Sequence, residues 1–231
     1  LVLPLYPVES KYYAGALGFL AVMAIIFGAF ASLGQSDFKR LVAYSSVNHM
    51  GFVVLGIAAA AFARGTENAH IALNGAVLQM FNHGLSAAGM FFLVGVIYER
   101  THTRDLNQYG GLFPLLPVYG GILIFTSMAS LGLPGLNGFI SEFLVVRGTW
   151  PVFTLYTALA MIGLFLTGAY ILKGIRQVLH GPLNERWVGH LSEINPREIF
   201  VIVPLMVLML WIGVWPAWIL DVINRAVTLL F

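Results

Sequence analysis

Three ionisable side chains stand where an apolar chain tolerates them least: His49, His83 and Glu142 each lie well inside a run of apolar residues. An imidazole, with an unperturbed pKa of about 6.5, takes and gives a proton with little driving force. A carboxylate sunk in hydrocarbon is costly unless a partner, water or a proton reaches it. Ser45, Asn48 and His49 fall at i, i+3 and i+4 and share one helix face, and Gln79, Asn82, His83 and Ser86 share another. Hydroxyls and amides beside an imidazole can hold bridging water. The chemistry these residue types support is proton transfer along His49 and His83 to Glu142, with Ser45, Asn48, Gln79, Asn82 and Ser86 as a polar path. The competing reading is packing, in which each histidine donates a hydrogen bond that fixes a helix contact and Glu142 pairs with a neighbouring cation.

Just before Glu142 the chain carries Gly132, Pro134, Gly135 and Gly138. Proline removes a backbone donor and clashes with the preceding turn, and glycine lowers the cost of leaving the helix. A helix expected over 115–147 should therefore break. Unwound backbone at membrane depth persists only where protein buries it or a watery cavity lines it, and a carboxylate beside it reads as an ion or proton site.

The elements that must position these groups follow from composition. Of 231 residues, 59% are hydrophobic and only 10% charged, against about 25% charged in a soluble domain. The fold class is an all-α polytopic membrane helix bundle, a single membrane domain over 1–231 with about six transmembrane helices, one discontinuous. Spans are expected at 12–33, 38–62, 70–98, the broken 115–147, 152–172 and 198–215, with 218–231 an interfacial tail. His49 lies about 16 Å into its span at 1.5 Å per residue, near the bilayer centre, whereas roughly 24 Å along the first half of the broken span places Glu142 in the outer half.

Charge sets an orientation. Lys39, Arg40, Arg100, Arg104, Lys173, Arg176, Arg186 and Arg197 fall on the loops joining spans 1–2, 3–4 and 5–6 or on their flanks, and Lys11, Arg64, Arg147 and Arg225 on the opposite side. The positive-inside rule puts the first group in the cytoplasm. Lys173 either snorkels to the surface or reaches inward to the polar path, Glu99 and Arg100 read as a surface pair, and Trp211, Trp215 and Trp218 as an aromatic belt.

Other chemistries lack residues. Zero cysteines exclude disulfides and Cys-ligated iron–sulfur clusters within this chain, and no dinucleotide fingerprint, phosphate loop or H-E-x-x-H zinc motif occurs. No metal and no nucleic acid are expected as partners, but lipid, water and protons are. His49 and His83 could instead ligate a haem as in a b-type cytochrome, and a purely structural scaffold is a further alternative. The chain, which opens on Leu1, reads as a fragment, and it is expected not to fold stably alone because its polar stripes would face lipid.

Four ordered stretches carry a resemblance: 37–52 (DFKRLVAYSSVNHMGF), 82–89 (NHGLSAAG), 98–105 (YERTHTRD) and Gly132-Leu-Pro-Gly135 through Gly138 to Ser141-Glu-Phe143. They resemble the antiporter-like membrane subunits of proton-pumping NADH:quinone oxidoreductase, respiratory complex I, and among these the subunit M or chain 4 group, which the Glu-Arg-Thr-His-Thr-Arg-Asp run and Glu142 favour. The resemblance implies a core of fourteen helices in two inverted five-helix repeats, each with a broken helix, of which this chain would be the C-terminal portion. It implies that Glu142 matches the family's terminal acidic residue near the outlet, and that His49 and His83 match histidines of its hydrophilic axis. NADH, FMN, iron–sulfur clusters and quinone would belong to partner subunits, sister antiporter-like subunits would be neighbours, and the setting would be a bacterial inner membrane. Lys173 departs from the family pattern and takes no role from it. The lysine and glutamate of the family's first repeat have no counterpart here, so an outward half-channel is the most this piece would carry. A subunit of a multisubunit sodium/proton antiporter or membrane-bound hydrogenase shares the fold and is the nearest alternative.

Overall fold

The computed structural model describes residues 2–230, and its regular elements are helices. They are α1 (Val2–Leu5), α2 (Pro7–Leu33), α3 (Phe38–Phe62), α4 (Glu67–Thr101), α5 (Pro117–Leu131), α6 (Asn137–Thr149), α7 (Thr154–Leu179), α8 (Pro196–Val214) and α9 (Ala217–Thr228). Among them α2, α3, α4, α7 and α8 are long and apolar enough to cross a membrane. Between α4 and α7 the chain crosses on two short helices, α5 and α6, in the segment expected to break.

Local chemistry explains where the helices begin. Asp37 accepts from the Arg40 amide at 2.9 Å, and Thr66 accepts from Ala69, which starts α4 three residues earlier than its apolar run does. Asn195 and Glu198 form a reciprocal capping box at the head of α8. α7 continues past Lys173 and Arg176 to Leu179, because neither cation interrupts helical pairing. α2 and α3 form a tight antiparallel hairpin; a Cβ on Gly28 would come within 2.7 Å of the Asn48 amide nitrogen, so only glycine allows this approach.

The loops after α2, α4 and α7 are joined at one end of the bundle. Asp37 and Asp105 form an antiparallel bridge, with Phe38 N–H donating to Arg104 O at 2.8 Å and Leu106 N–H to Ser36 O at 2.7 Å. Gly111, Leu112 and Phe113 donate to His180, Val178 and Leu179 carbonyls, and Asn184 Nδ2 and Trp187 Nε1 both donate to Gln108 O. Glu193 caps α5 by accepting from the Val118 and Tyr119 amides. Arg100 does not pair with Glu99 as its position suggested. It turns toward α8 and makes a two-pronged ion pair with Glu198, at 2.9 and 2.7 Å, because the sixth span starts beside the end of α4.

Packing encloses the polar stripes. Ser45, Asn48, His49, Gln79, Asn82 and Ser86 are all buried within this chain, so the expectation that they would face lipid is corrected: α3 and α4 turn them toward each other and toward α6 and α7. The C-terminal tail docks on α4, where Ile219, Ile223 and Val227 join a cluster with Ala69 and Leu73, and Asn74 donates to Asn224 at 2.9 Å.

Candidate functional site

The break itself is built by two left-handed glycines. α5 ends as Gly132 adopts φ +80, Gly135 follows at φ +94, and α6 restarts at Asn137. Those backbone angles are costly for any residue with a Cβ. The break turns the chain sideways, so Gly138 at the head of α6 lies directly against the Ala129 carbonyl in the last turn of α5. On the other flank Gly213 of α8 sits against the backbone of Gly135 and Leu136. Protein therefore packs against the two ends of the unwound segment, at Gly132 and Leu136, while Leu133, Pro134 and Gly135 between them are exposed on the surface of this chain. The first residue of α6 is met from α4, as Asn82 Nδ2 donates to Asn137 O at 2.7 Å and Asn137 Nδ2 returns a bond to Asn82 O at 3.1 Å.

Glu142, in the second turn of α6, is 4% exposed. Its Oε1 lies 2.9 Å from His49 Nδ1 and accepts from Gln79 Nε2 at 3.2 Å. Gln79 is oriented by its neighbours: Ser141 Oγ donates to Gln79 Oε1, and Asn82 Nδ2 donates to Ser141 Oγ at 3.0 Å. An amide whose oxygen is so engaged presents only N–H to the carboxylate. The other carboxylate oxygen faces Gly132, where a Cβ would stand 3.1 Å away. Beside it lies a cavity of about 190 Å³ lined by Leu131, Phe139, Phe143, Val146, Met161 and Leu164 as well as Gly132 and Glu142. Glu142 is the sole charged group among those lining residues.

His49 is held at both nitrogens. Nδ1 meets Glu142, and Nε2 lies 3.2 Å from the Tyr170 hydroxyl on α7. Asn48 Nδ2 donates to that same hydroxyl at 3.3 Å and to Thr167 Oγ1. His83 packs its ring on His49, centroids 5.3 Å apart, while its own Nε2 pairs with Ser46 Oγ at 3.1 Å. With both nitrogens occupied by side chains, His49 has none to offer a haem iron, which removes the geometric basis of the cytochrome alternative.

The structure thus brings Glu142, His49, Gln79 and Asn82 into one bonded cluster, with Asn48 joined through Tyr170 and His83 touching by its ring. Ser45 and Ser86 turn back onto the carbonyls of Val42 and His83 in their own helices. Lys173 stands apart: its ammonium donates to Leu33 O at 2.7 Å and Gln35 O at 2.8 Å, carbonyls left open at the end of α2. It fastens α7 to that helix end and does not reach the path, which corrects its place there. Tyr170, Thr167, Ser141, Asn137 and Ser46 were not singled out from sequence. Asn137 and Ser141 are one turn apart beside Glu142, a spacing that could have flagged them; Tyr170 sits in an apolar run and carried no such signal.

Within the bundle, Glu142 sits nearer the middle than the chain count implied. His49 lies 11 residues from the start of α3 and Gln79 12 residues from the start of α4, at opposite ends of the bundle, about 16 and 18 Å along their axes. The carboxylate they share is therefore at mid-depth. Counting along the chain overshot because the break adds length without advance, and α6 overlaps the last turn of α5. Three buried acceptors near the cluster, the Oδ1 atoms of Asn48, Asn82 and Asn137, lack a protein donor among the described residues, and water bridging polar groups is the donor that suits such atoms.

Comparison with known proteins agrees with this architecture. Residues 1–167 match the family described as NADH:quinone oxidoreductase/Mrp antiporter, TM. NADH-quinone oxidoreductase subunit M of Rhodobacter capsulatus is 38% identical over 225 residues, covering 97% of this chain and 42% of that protein. NAD(P)H-quinone oxidoreductase chain 4 1 of Synechococcus elongatus is 43% identical over 218 residues, covering 92% and 39%. A chain of respiratory complex I from Thermus thermophilus with bound NADH superposes with a TM-score of 0.87 at 28% identity, covering 100% of this chain and 47% of that one. A chain of the Mrp complex from Dietzia sp. DQ12-45-1b reaches 0.84 at 18% identity, covering 96% and 48%, a likeness of fold alone. The chain spans about two fifths of the length of the curated relatives it matches. With a family match over most of its length and a broken helix carrying Glu142 at its centre, the chain belongs to the NADH:quinone oxidoreductase/Mrp antiporter transmembrane family.

Proposed function

We propose that this chain is the C-terminal part of a proton-translocating, non-redox membrane subunit of an NADH:quinone oxidoreductase. The observation that carries the reading is the buried His49–Glu142 pair at 2.9 Å beside a helix break, with His83 in ring contact. In a low-dielectric interior a buried carboxylate on an imidazole is expensive and weak evidence for stability alone, whereas intramembrane ionisable groups mark ion and proton pathways. His83 and His49 relay protons to Glu142, and Glu142 exchanges them with water through the cavity beside Gly132. Since the carboxylate sits at mid-depth, it is a station between the two sides. Its hold on the proton has to differ between two states of the protein, driven by a charge that approaches or withdraws.

NADH, FMN, iron–sulfur clusters and quinone are assigned to partner subunits, and sister antiporter-like subunits are the membrane neighbours. The joined loops carry most of the lysine and arginine and are assigned to the cytoplasmic face of a bacterial inner membrane. The relatives support the respiratory reading over a sodium/proton antiporter, because those at 38 and 43% identity carry NADH- or NAD(P)H-quinone oxidoreductase names. The test is redox-driven proton pumping in vesicles by the assembled complex with Glu142→Gln. Loss of pumping and of coupled turnover at normal assembly is expected; both persisting at wild-type level would make Glu142 structural.

A further inference from the structure

The relay as it stands in this structure is interrupted, and the interruption falls at His49. Asn48 Nδ2 can only donate, so the Tyr170 oxygen accepts from it, and the Tyr170 proton is left to serve an acceptor beside it, His49 Nε2 at 3.2 Å or the hydroxyls of Thr167 and Ser45. When that proton serves His49, Nε2 is the acceptor and Nδ1–H the donor, which is the tautomer that serves a carboxylate at Glu142. Gln79, a donor-only neighbour on the other side of Oε1, agrees with the same polarity. In that arrangement every bond in the chain Asn48, Tyr170, His49, Glu142 runs one way. No hydrogen bond joins His83 to His49 among the described residues, although their rings touch at 5.3 Å; His83 Nε2 is taken by Ser46. A proton on His83 has no bonded route onward while Tyr170 occupies Nε2.

The geometry points to Tyr170 as a latch on the relay: its hydroxyl holds His49 in the Glu142-facing tautomer and closed to His83, and the ring has to leave Tyr170 before it can be loaded. This rests on the relay reading above and adds the residue that times it. In the loading step the His83 imidazolium gives its N–H proton to the freed Nε2 of His49, leaving His83 neutral. His49, now an imidazolium, passes its Nδ1 proton to Glu142 Oε1, leaving a neutral ring with Nε2–H and a neutral carboxylic acid. An Nε2–H facing the Tyr170 proton sets two donors against each other, so the latch cannot reclose in that arrangement until the ring turns over or loses that proton. The proton count balances at each step, and Tyr170 is never ionised. Tyr170 is fully buried between α3 and α7, so its hydroxyl is the part that can be removed without disturbing surface.

Tyr170→Phe keeps the ring and deletes the latch. In vesicles holding the assembled complex, the variant should retain electron transfer, lose protons pumped per electron, and raise passive proton permeability about five- to tenfold, the shift that losing one buried hydrogen bond produces. Adding Glu142→Gln should abolish that leak. Tyr119→Phe, which deletes another buried hydroxyl bonded to Leu93 O at 3.1 Å, is the control for mere loosening and should not leak. A Tyr170→Phe complex that pumps fully and leaks no more than Tyr119→Phe overturns the latch. Should Tyr170→Phe fail to assemble, nitrogen-15 spectra of the histidine-labelled wild-type complex decide the matter. His49, assigned by its loss in His49→Gln, must be protonated at Nδ1, and a resting ring protonated at Nε2 overturns the proposal. Full pumping by Glu142→Gln alone would instead sink the relay reading, so the two failures are separable.

Discussion

A methyl group placed on Gly75 would test how closely α4 must approach α6 to hold Glu142. Gly75 lies one turn before Gln79 on α4, and a Cβ there would stand 2.6 Å from the Val145 amide nitrogen and 2.9 Å from the Leu144 carbonyl carbon. Those atoms are backbone and cannot swing aside, so reaching an ordinary contact of 3.4 Å requires the helices to part by about 0.8 Å. The Gln79–Glu142 bond, now 3.2 Å, would open to about 4 Å and cease to be one. Gly95 supplies the control on the same helix, because nothing lies within 4 Å of a Cβ there. Both substitutions gain about 1 kcal/mol of helix propensity, so their difference isolates the overpacking, about 1–3 kcal/mol. Denaturant titration of the full-length subunit in detergent reads that difference, and proton pumping per electron reads the lost contact. Gly75→Ala should be less stable than Gly95→Ala by that margin and should pump less. Equal stability and equal pumping would refute the claim that backbone contact at Gly75 sets the position of the carboxylate.

Lys173→Met removes two bonds to the carbonyls that end α2, and should cost about 1–2 kcal/mol in the same titration while leaving protons per electron unchanged; a fall in that ratio at full assembly would return Lys173 to the proton path. Arg100→Ala strips Glu198 of its bidentate partner, and should cost about 2 kcal/mol. A change below about 0.5 kcal/mol would mark the pair as solvated and silent.

The break and the pairing of residue types were legible in the sequence for physical reasons. Gly132 and Gly135 stand out because left-handed backbone asks for glycine, and His49, Gln79, Asn82 and Glu142 because polar groups in an apolar run need partners. Tyr170 was not legible: in a run such as α7 an aromatic residue reads as core, and its hydroxyl acquires meaning only when α7 lies against Asn48 and His49. Lys173 misled because its long stem permits several destinations, and its actual one, the end of α2, depends on tertiary packing. The depth of Glu142 failed for a similar reason, since a chain count cannot know that the first turn of α6 lies level with the last turn of α5. Arg100 shows the same limit, choosing Glu198, 98 residues away, over its chain neighbour Glu99.

The joined loops have a mechanical meaning. At their end of the bundle α3, α4, α5 and α7 are tied by backbone bonds from one loop to another, whereas at the opposite end, among the described residues, no backbone bond links two loops. A bundle tied by backbone bonds at one end and held at the other by side chains, as by Arg64 on the Leu3 and Leu230 carbonyls, resembles a tuning fork: its tines spread more readily at the second end, and displacement falls toward the stem. Sites near the stem would be too stiff to sense a push, and sites near the tips would wander with every fluctuation. His49 and Glu142, halfway along, receive about half of any spreading of the tips. A spread of about 2 Å there would part them by about 1 Å, enough to break a hydrogen bond and small enough to be reversed.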